Sequence, residues 1–275
     1  MPGFWLGQKA TTRGFRLHGF DTVGSTNTEA ANAARAGDVG DVWYAALQQT
    51  AGRGRRGRQW ESPPGNLAAS LLIVPDADPA VTATLGFVAG VALNNALRTA
   101  LPQAGFRVGI DGADGHNARI ALKWPNDVLA DGAKLAGILL EAVKRPDGAM
   151  AVVIGFGVNV VAAPDGLPYP ATSLAGLGAS LSAEPLFAAL SESWVDAIEA
   201  WDRGRGVADV LSQWRSAAAG IGADVAVNRD GVIVRGIFEA IDDSGRLIIR
   251  ANDNSRITIT AGDVHFGVTA GAGAN

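Results

Sequence analysis

A chain of 275 residues that is 48% hydrophobic can bury a sizeable core and has room for one large domain and a small one. Its formal net charge of −4 argues against a surface given over as a whole to nucleic acid, and the absence of cysteine excludes disulfides, thiolate metal sites and cysteine nucleophiles. The first residues show no charged region leading into a long apolar stretch, and no apolar run elsewhere approaches the roughly 18 residues that span a bilayer, so the chain reads as soluble, cytoplasmic and without a membrane partner.

In chain order, Gly24 to Asn27 ("GSTN") open the first well-signalled helix. Thr26 and Glu29 stand in capping-box register, an alanine-rich run follows, and Gly37 supplies the stop. Alternation or short apolar runs predict strands at 42–48 and 66–74, then a helix over 79–100, then strands at 119–124, 134–143 and 149–160. A helix over 183–202 places Phe187, Leu190, Trp194, Ile198 and Trp201 at spacings of three and four, and a shorter one carries Val207, Val210, Leu211 and Trp214 on one face. From Asp224 onward the chain reads as short strands, with turns at Asp230-Gly231, Ser244-Gly245 and Asn252 to Asn254. The expected architecture is a mixed α/β domain over 1–218, a small β-barrel over 219–268 and a disordered Gly/Ala tail over 269–275. His18, His116 and His265 lie far apart without ligand spacing, so no metal site is predicted.

Three stretches carry chemistry. In "QQTAGRGRRGRQW", Arg53, Arg55, Arg56 and Arg58 alternate with glycines, a pattern open to three readings: a solvated basic loop, a cradle for a phosphorylated ligand, or a grip on single-stranded nucleic acid. With Trp60 alone interleaved and an acidic overall balance, the nucleic-acid reading is the weakest. In "LKWPNDVLADGAKLAGILLE", Pro125 and Asp131-Gly132 make a hairpin from which Asn126 and Asp127 project, with Asp127 and Lys134 flanking it; Gly137 leaves room for a ligand near the backbone. Lys134 is equally readable as a solvated lysine on an edge strand. In "IGFGVNV", Gly155 and Gly157 are weak evidence for a dinucleotide site, because the third glycine and the following helix of that fingerprint are missing.

"GSTN", "QTAGRGRRGRQW", "KWPNDV", "KLAGIL" and "GFGVNV", in this order, resemble the signature of biotin protein ligases. The resemblance implies an α+β fold, a mixed sheet with flanking helices as in class II aminoacyl-tRNA synthetase and biotin ligase catalytic domains, followed by a small Src-homology-3-like β-barrel. It implies activation of biotin by ATP as biotinyl-5′-adenylate and transfer to a lysine of the biotin carboxyl carrier domain of acetyl-CoA carboxylase or a related carboxylase. Matching residue by residue, Ser25, Thr26 and Gln49 would bind the ureido ring, with Asn27, Gly52 and Gly137 lining the pocket and Gly54 and Arg55 closing over it. The structural alternative for Thr26 is a helix cap worth about 1 kcal/mol. Arg53 and Lys134 would hold the biotin carboxylate and adenylate phosphate; Arg55, Arg56, Arg58, Trp60, Lys123, Asn126, Asp127 and Asn159 would surround ATP, and Asp127 would serve the transfer step. Mg2+ would arrive with ATP, since no acidic cluster marks a protein-made cage.

Two features depart from the family pattern. A glycine-rich insertion is expected at 109–118, and the segment after Asn159 no longer matches, which leaves adenine contacts, including any from Tyr169, unassigned. A lipoate ligase of the same fold is the alternative. The related octanoyl transferases generally need a cysteine that this chain lacks. About two dozen residues precede Gly24, too few for a winged-helix domain, so no DNA binding is expected; a homodimer is left open.

Overall fold

The computed structural model describes residues 3–101, 120–229 and 232–266. The 109–118 insertion, His116, the Asp230-Gly231 turn and the 269–275 tail lie outside these residues. Seven strands, β1 (Arg16–Val23), β2 (Val42–Gln49), β3 (Leu67–Ile73), β4 (Ile120–Lys123), β5 (Asp127–Ala130), β6 (Ala133–Lys144) and β7 (Met150–Val158), form a mixed sheet in the order β1-β2-β3-β7-β6-β5-β4. The helices are α1 (Gln8–Thr12), α2 (Thr26–Arg35), α3 (Pro79–Thr82), α4 (Leu85–Ala100), α5 (Ala183–Trp201) and α6 (Val207–Ser216). β1 and β2 pair in parallel across the α2 crossover, and the other neighbouring strands are antiparallel.

The strand period of two decides which side chains meet which helices. Trp43, Leu71, Ile154 and Phe156 point into the layer built by α4, α5 and α6, where Trp43 meets the rings of Phe187 and Trp194 edge-on. Trp194 and Trp201, at helical spacing on α5, are buried, as is Trp214 of α6. Their alternates Val42, Tyr44, Leu72 and Val153 face the other way, against Ala30, Ala31 and Ala34 of α2. Because α2 is short and its buried face is built of small residues, it covers only part of that side of the sheet.

The helix predicted over 79–100 is two segments, α3 and α4. Contrary to the sequence expectation, Pro79–Ala100 is long and apolar enough to cross a membrane by length and composition, but 67% of its most apolar window is buried within the protein, where it serves as a core helix. Two strands went unpredicted. β1, at the sheet edge, has an irregular burial pattern that leaves no period to read, and β5 has only four residues.

Five further strands, β8 (Asp224–Arg229), β9 (Val232–Ile241), β10 (Leu247–Arg250), β11 (Arg256–Ile259) and β12 (Asp263–Phe266), make the small antiparallel Src-homology-3-like unit, in the order β11-β10-β9-β8-β12. It is bonded into the larger sheet. Leu122 N donates to Ala217 O at 2.7 Å and Ala219 N to Leu122 O at 2.8 Å, so the connecting segment runs alongside β4. The Trp124 indole donates to Gly245 O at 2.9 Å, and Arg215 Nε to Ile241 O at 2.9 Å.

Candidate active site

The site occupies the sheet face that α2 leaves open. On β7, Ile154, Phe156 and Val158 go to the helical layer, so Gly155 and Gly157 fall on the open face; on β6, Ile138 goes to the helices, and Gly137, Leu139 and Glu141 fall on the open face. The glycines make a floor that other groups approach closely. A Cβ on Gly155 would lie 2.2 Å from Asn27 Oδ1, and one on Gly157 would lie 2.4 Å from the Trp60 indole. The "GFGVNV" glycines are explained by these two contacts and not by a nucleotide-binding turn.

The cap of α2 is Ser25, whose hydroxyl accepts from Thr28 N, and not Thr26 as the sequence predicted. This one-residue shift frees the Thr26 side chain. Its hydroxyl lies 3.1 Å from Gln49 Oε1 and 2.7 Å from Ser70 Oγ, while its backbone N–H donates to Gln49 Oε1 at 2.8 Å.

The arginine stretch is an irregular ribbon folded over this face. Gln49 bridges to Ser62 and Arg53 to Gln59, Trp60 N donates to Gly52 O, and the tip at Arg56 takes a left-handed φ of 56°. The four guanidinium groups diverge. Arg53 pairs with Glu141 at 2.9 Å, and Arg55 donates to Asn126 Oδ1 at 2.7 Å. Arg56 and Arg58 both reach Asp263 of β12, Arg56 at 3.3 Å.

Asp127 does not project from a turn as predicted. It opens β5 opposite Gly137 and forms an ion pair with Lys134 at 2.8 Å. Asn126 is fixed too, donating to Ile138 O at 2.7 Å. The Lys134 ammonium lies 5.6 Å from the Trp60 ring centre and 5.5 Å from that of Tyr169, within cation–π range of both. Lys123 lies over the Phe266 ring. Burial pulls its pKa below the ordinary lysine value, opposed by Asp127 and reinforced by Lys134. Burial also lowers the Arg55 pKa. At Asp263 burial pushes the carboxyl upward, yet the Arg58 hydrogen bond and the charges of Arg58, Arg56 and Arg55 prevail and hold it below the usual carboxylate range.

One cleft therefore gathers Ser25, Thr26, Asn27, Gln49, Arg53, Gly54, Arg55, Arg58, Trp60, Asn126, Asp127, Lys134 and Gly137. Gly52, Arg56 and Lys123 do not line it. Gly52 has no room for a side chain, since a Cβ there would lie 2.3 Å from Trp60 O. Asn159 lines an adjoining cavity with Trp60 and Tyr169. Its Nδ2 donates to Thr172 O at 3.0 Å, and its buried Oδ1 has no partner. Sequence reasoning missed Glu141, Ser70 and Asp263. For Glu141 a signal existed, because alternation from Gly137 puts it on the site face; Ser70 is a lone polar residue in an apolar run. Among the described residues, no group of three or more His, Cys, Asp or Glu side chains could hold a metal.

A mixed sheet with one face roofed by a glycine-arginine ribbon, followed by a small β-unit, has the fold of solved biotin protein ligases. The sequence profile of the Biotin/lipoate A/B protein ligase family matches residues 20–159, and that of the Biotin protein ligase C terminal domain matches residues 220–267; the chain belongs to this family. It is 37% identical to a biotin--[acetyl-CoA-carboxylase] ligase of Paracoccus denitrificans over 88% of this chain and 97% of that one. It is 34% identical to the enzyme of that name from Mycobacterium tuberculosis, over 88% and 85%. In fold it is similar to a biotin protein ligase from Aquifex aeolicus solved with biotin and ATP, at TM-score 0.73 and 20% identity, covering 92% of this chain and 98% of that one.

Proposed function

We infer that the chain is an ATP-dependent biotin ligase that forms biotinyl-5′-adenylate and passes the biotinyl group to a lysine of the biotin carboxyl carrier domain of acetyl-CoA carboxylase. The observation that carries this reading is the convergence of neutral polar groups and cations on one cleft: Ser25, Thr26 and Gln49 together with Arg53, Arg55, Lys134 and Arg58. Biotin has that polarity, a neutral ureido ring joined by an apolar chain to a carboxylate. Gly137, Leu139, Gly155 and Gly157 supply an uncharged floor.

Adenylation brings two anions together, so its cost is dominated by their repulsion unless fixed cations neutralise it. Arg53 and Lys134 supply that charge. A biotin carboxylate oxygen attacks the α-phosphorus, the bond to the β-phosphate oxygen breaks, and pyrophosphate leaves past Arg55, Arg56 and Arg58. Magnesium would arrive with ATP and offset phosphate charge, since among the described residues no acidic cluster would hold it by itself. In the second half-reaction the carrier amine attacks the acyl carbon and AMP departs. Asp127 accepts the amine proton or orients the amine, and meanwhile fixes Lys134 through their ion pair.

The orphan Asn159 Oδ1 beside Trp60 and Tyr169 is an acceptor suited to the exocyclic amine of adenine. Asn159→Ala is expected to raise the KM for ATP about tenfold, the worth of roughly one hydrogen bond, while biotin affinity measured by calorimetry stays unchanged. The reading as a whole is tested by pyrophosphate exchange into ATP with biotin, lipoate or octanoate supplied separately. Exchange with biotin alone is expected; exchange with lipoate alone would transfer the chain to the lipoate branch of the family.

A further inference from the structure

A hydrogen-bond chain runs beneath the cleft that none of the roles above uses. Thr26 Oγ1 lies 2.7 Å from Ser70 Oγ, and Ser70 Oγ lies 2.6 Å from Asn27 Oδ1. Asn27 Nδ2 donates to Glu141 Oε2 at 2.7 Å, and Arg53 Nη2 donates to that same oxygen at 2.9 Å. The chain joins α2, β3, β6 and the arginine ribbon. Thr26, Ser70 and Asn27 are all buried, so an unsatisfied member would be costly. Glu141 lies on the open face of β6 with its carboxylate taken up by Asn27 and Arg53.

Counting protons gives the chain one direction. An ionised Glu141 only accepts, which turns the Asn27 amide so that its NH2 faces the carboxylate and its oxygen faces Ser70. Ser70 has a single proton, which goes to Asn27, so Ser70 accepts from the Thr26 hydroxyl. The longer 3.1 Å approach of Thr26 to Gln49 Oε1 is then left without a proton, and Gln49 is served by the Thr26 backbone N–H. Thr26 Oγ1 is thereby left to accept, as a ureido N–H requires. The oxygen that imposes this order also fixes the guanidinium of Arg53, and with it the arginine ribbon, beside Asn27.

We propose that Glu141 is a positioning residue for biotin activation: one carboxylate orders the ureido-binding hydroxyl of Thr26 through Asn27 and Ser70 and holds Arg53, and so the arginine ribbon, over the same part of the cleft. This rests on the biotin-ligase reading. In Glu141→Gln the charge is gone and the new amide can donate as well as accept, so neither the direction of the chain nor the seat of Arg53 is imposed.

The test compares the full-length chain with Glu141→Gln, Glu141→Asp and Ser70→Ala, reading biotin Kd by calorimetry without ATP, KM for biotin and for ATP, and Tm. Glu141→Gln is expected to raise biotin Kd and biotin KM about tenfold or more, with the KM for ATP within about twofold. Glu141→Asp, which keeps the charge, should recover part of the loss, and Ser70→Ala should weaken biotin binding less in the Glu141→Gln background than in the unaltered chain. Unchanged biotin affinity in Glu141→Gln would overturn the proposal, whether or not Tm falls, as would equal rises in both KM values or additivity with Ser70→Ala. If the unaltered chain bound no biotin, the ligase reading itself would fall, and the proposal with it.

Discussion

Lys134→Ala is expected to lower biotin-dependent pyrophosphate exchange by roughly 10³-fold while leaving the protein folded. Removing a single oxyanion donor typically costs about 10² to 10³ in rate, and Lys134 contributes a full charge where carboxylate and phosphate must meet. It is also held tightly. Asp127 fixes its ammonium at 2.8 Å and the rings of Trp60 and Tyr169 flank it. Folding survives because the Asp127 side chain keeps 20% of its exposure and Lys123 remains near enough to act on it through its charge. Stopped assays of adenylate formation check the rate, and circular dichroism checks the fold. Adenylate formed at the unaltered rate would remove Lys134 from the catalytic residues. Asp127→Asn is the informative companion, since it keeps an acceptor for Lys134 but cannot take a proton, and the expected damage falls mainly on transfer to the carrier.

Gly155→Ala and Gly157→Ala differ by one methyl each on the same strand face, and their expected effects are different in kind. At Gly155 the new carbon would sit 2.2 Å from Asn27 Oδ1, where nothing can swing aside because Asn27 is buried and bonded to both Ser70 and Glu141. Overpacking of that sort costs about 1–3 kcal/mol, which for a chain of this size means a Tm lower by several degrees. Biotin binding should fall at least about 100-fold, since α2 carries both Thr26 and Asn27. At Gly157 the obstacle is the half-buried Trp60 indole, which can turn outward while the Trp60 backbone keeps its bond to Gly52. Little stability is lost there, and the effect should appear as a raised KM for ATP. Thermal melts with calorimetry for biotin and steady-state kinetics for ATP separate the two. A Gly155→Ala protein that melts and binds biotin like the unaltered chain would show that the floor is not as close as described.

What could be read from sequence divides along physical lines. Helix α5 and the small β-unit were legible because a run of buried large side chains keeps a strict period and because turn residues punctuate the short strands. The edge strand β1 keeps no period, having little to bury on either face. In the site, residue type alone left the arginines open to three readings and Lys134 to two, and only the order of the five motifs singled them out together with the "GSTN" polar group. Ser70 and Asp263 were not legible, and Glu141 shows only its face, by alternation from Gly137, and not its partners. They act through partners far away in the chain, 114 residues from Glu141 to Asn27 and 205 from Asp263 to Arg58, and such pairs exist only once the sheet has assembled. The cap of α2 shows a finer limit. Serine and threonine cap almost equally well, so a Ser-Thr pair leaves the helix start uncertain by one residue, and that residue decides whether the threonine hydroxyl serves the helix or the ligand.

The bonds between the two sheets bear on how the carboxy-terminal unit should be regarded. Trp124, which leads directly into Asn126 and Asp127, is buried, and its indole N–H ends on Gly245; the Phe87 ring packs so closely under that turn that a Cβ on Gly245 would lie 2.3 Å from it. Residues 217 and 219 complete the outer edge of β4, and Asp263 reaches back to the arginine ribbon. The unit is thus a wall of the catalytic chamber and not a detachable module. A chain severed near residue 218 would bare a strand edge, strand an indole donor and release two guanidinium groups at once, so a truncation that abolished ligation would report a collapsed wall before it reported any recognition of the carrier.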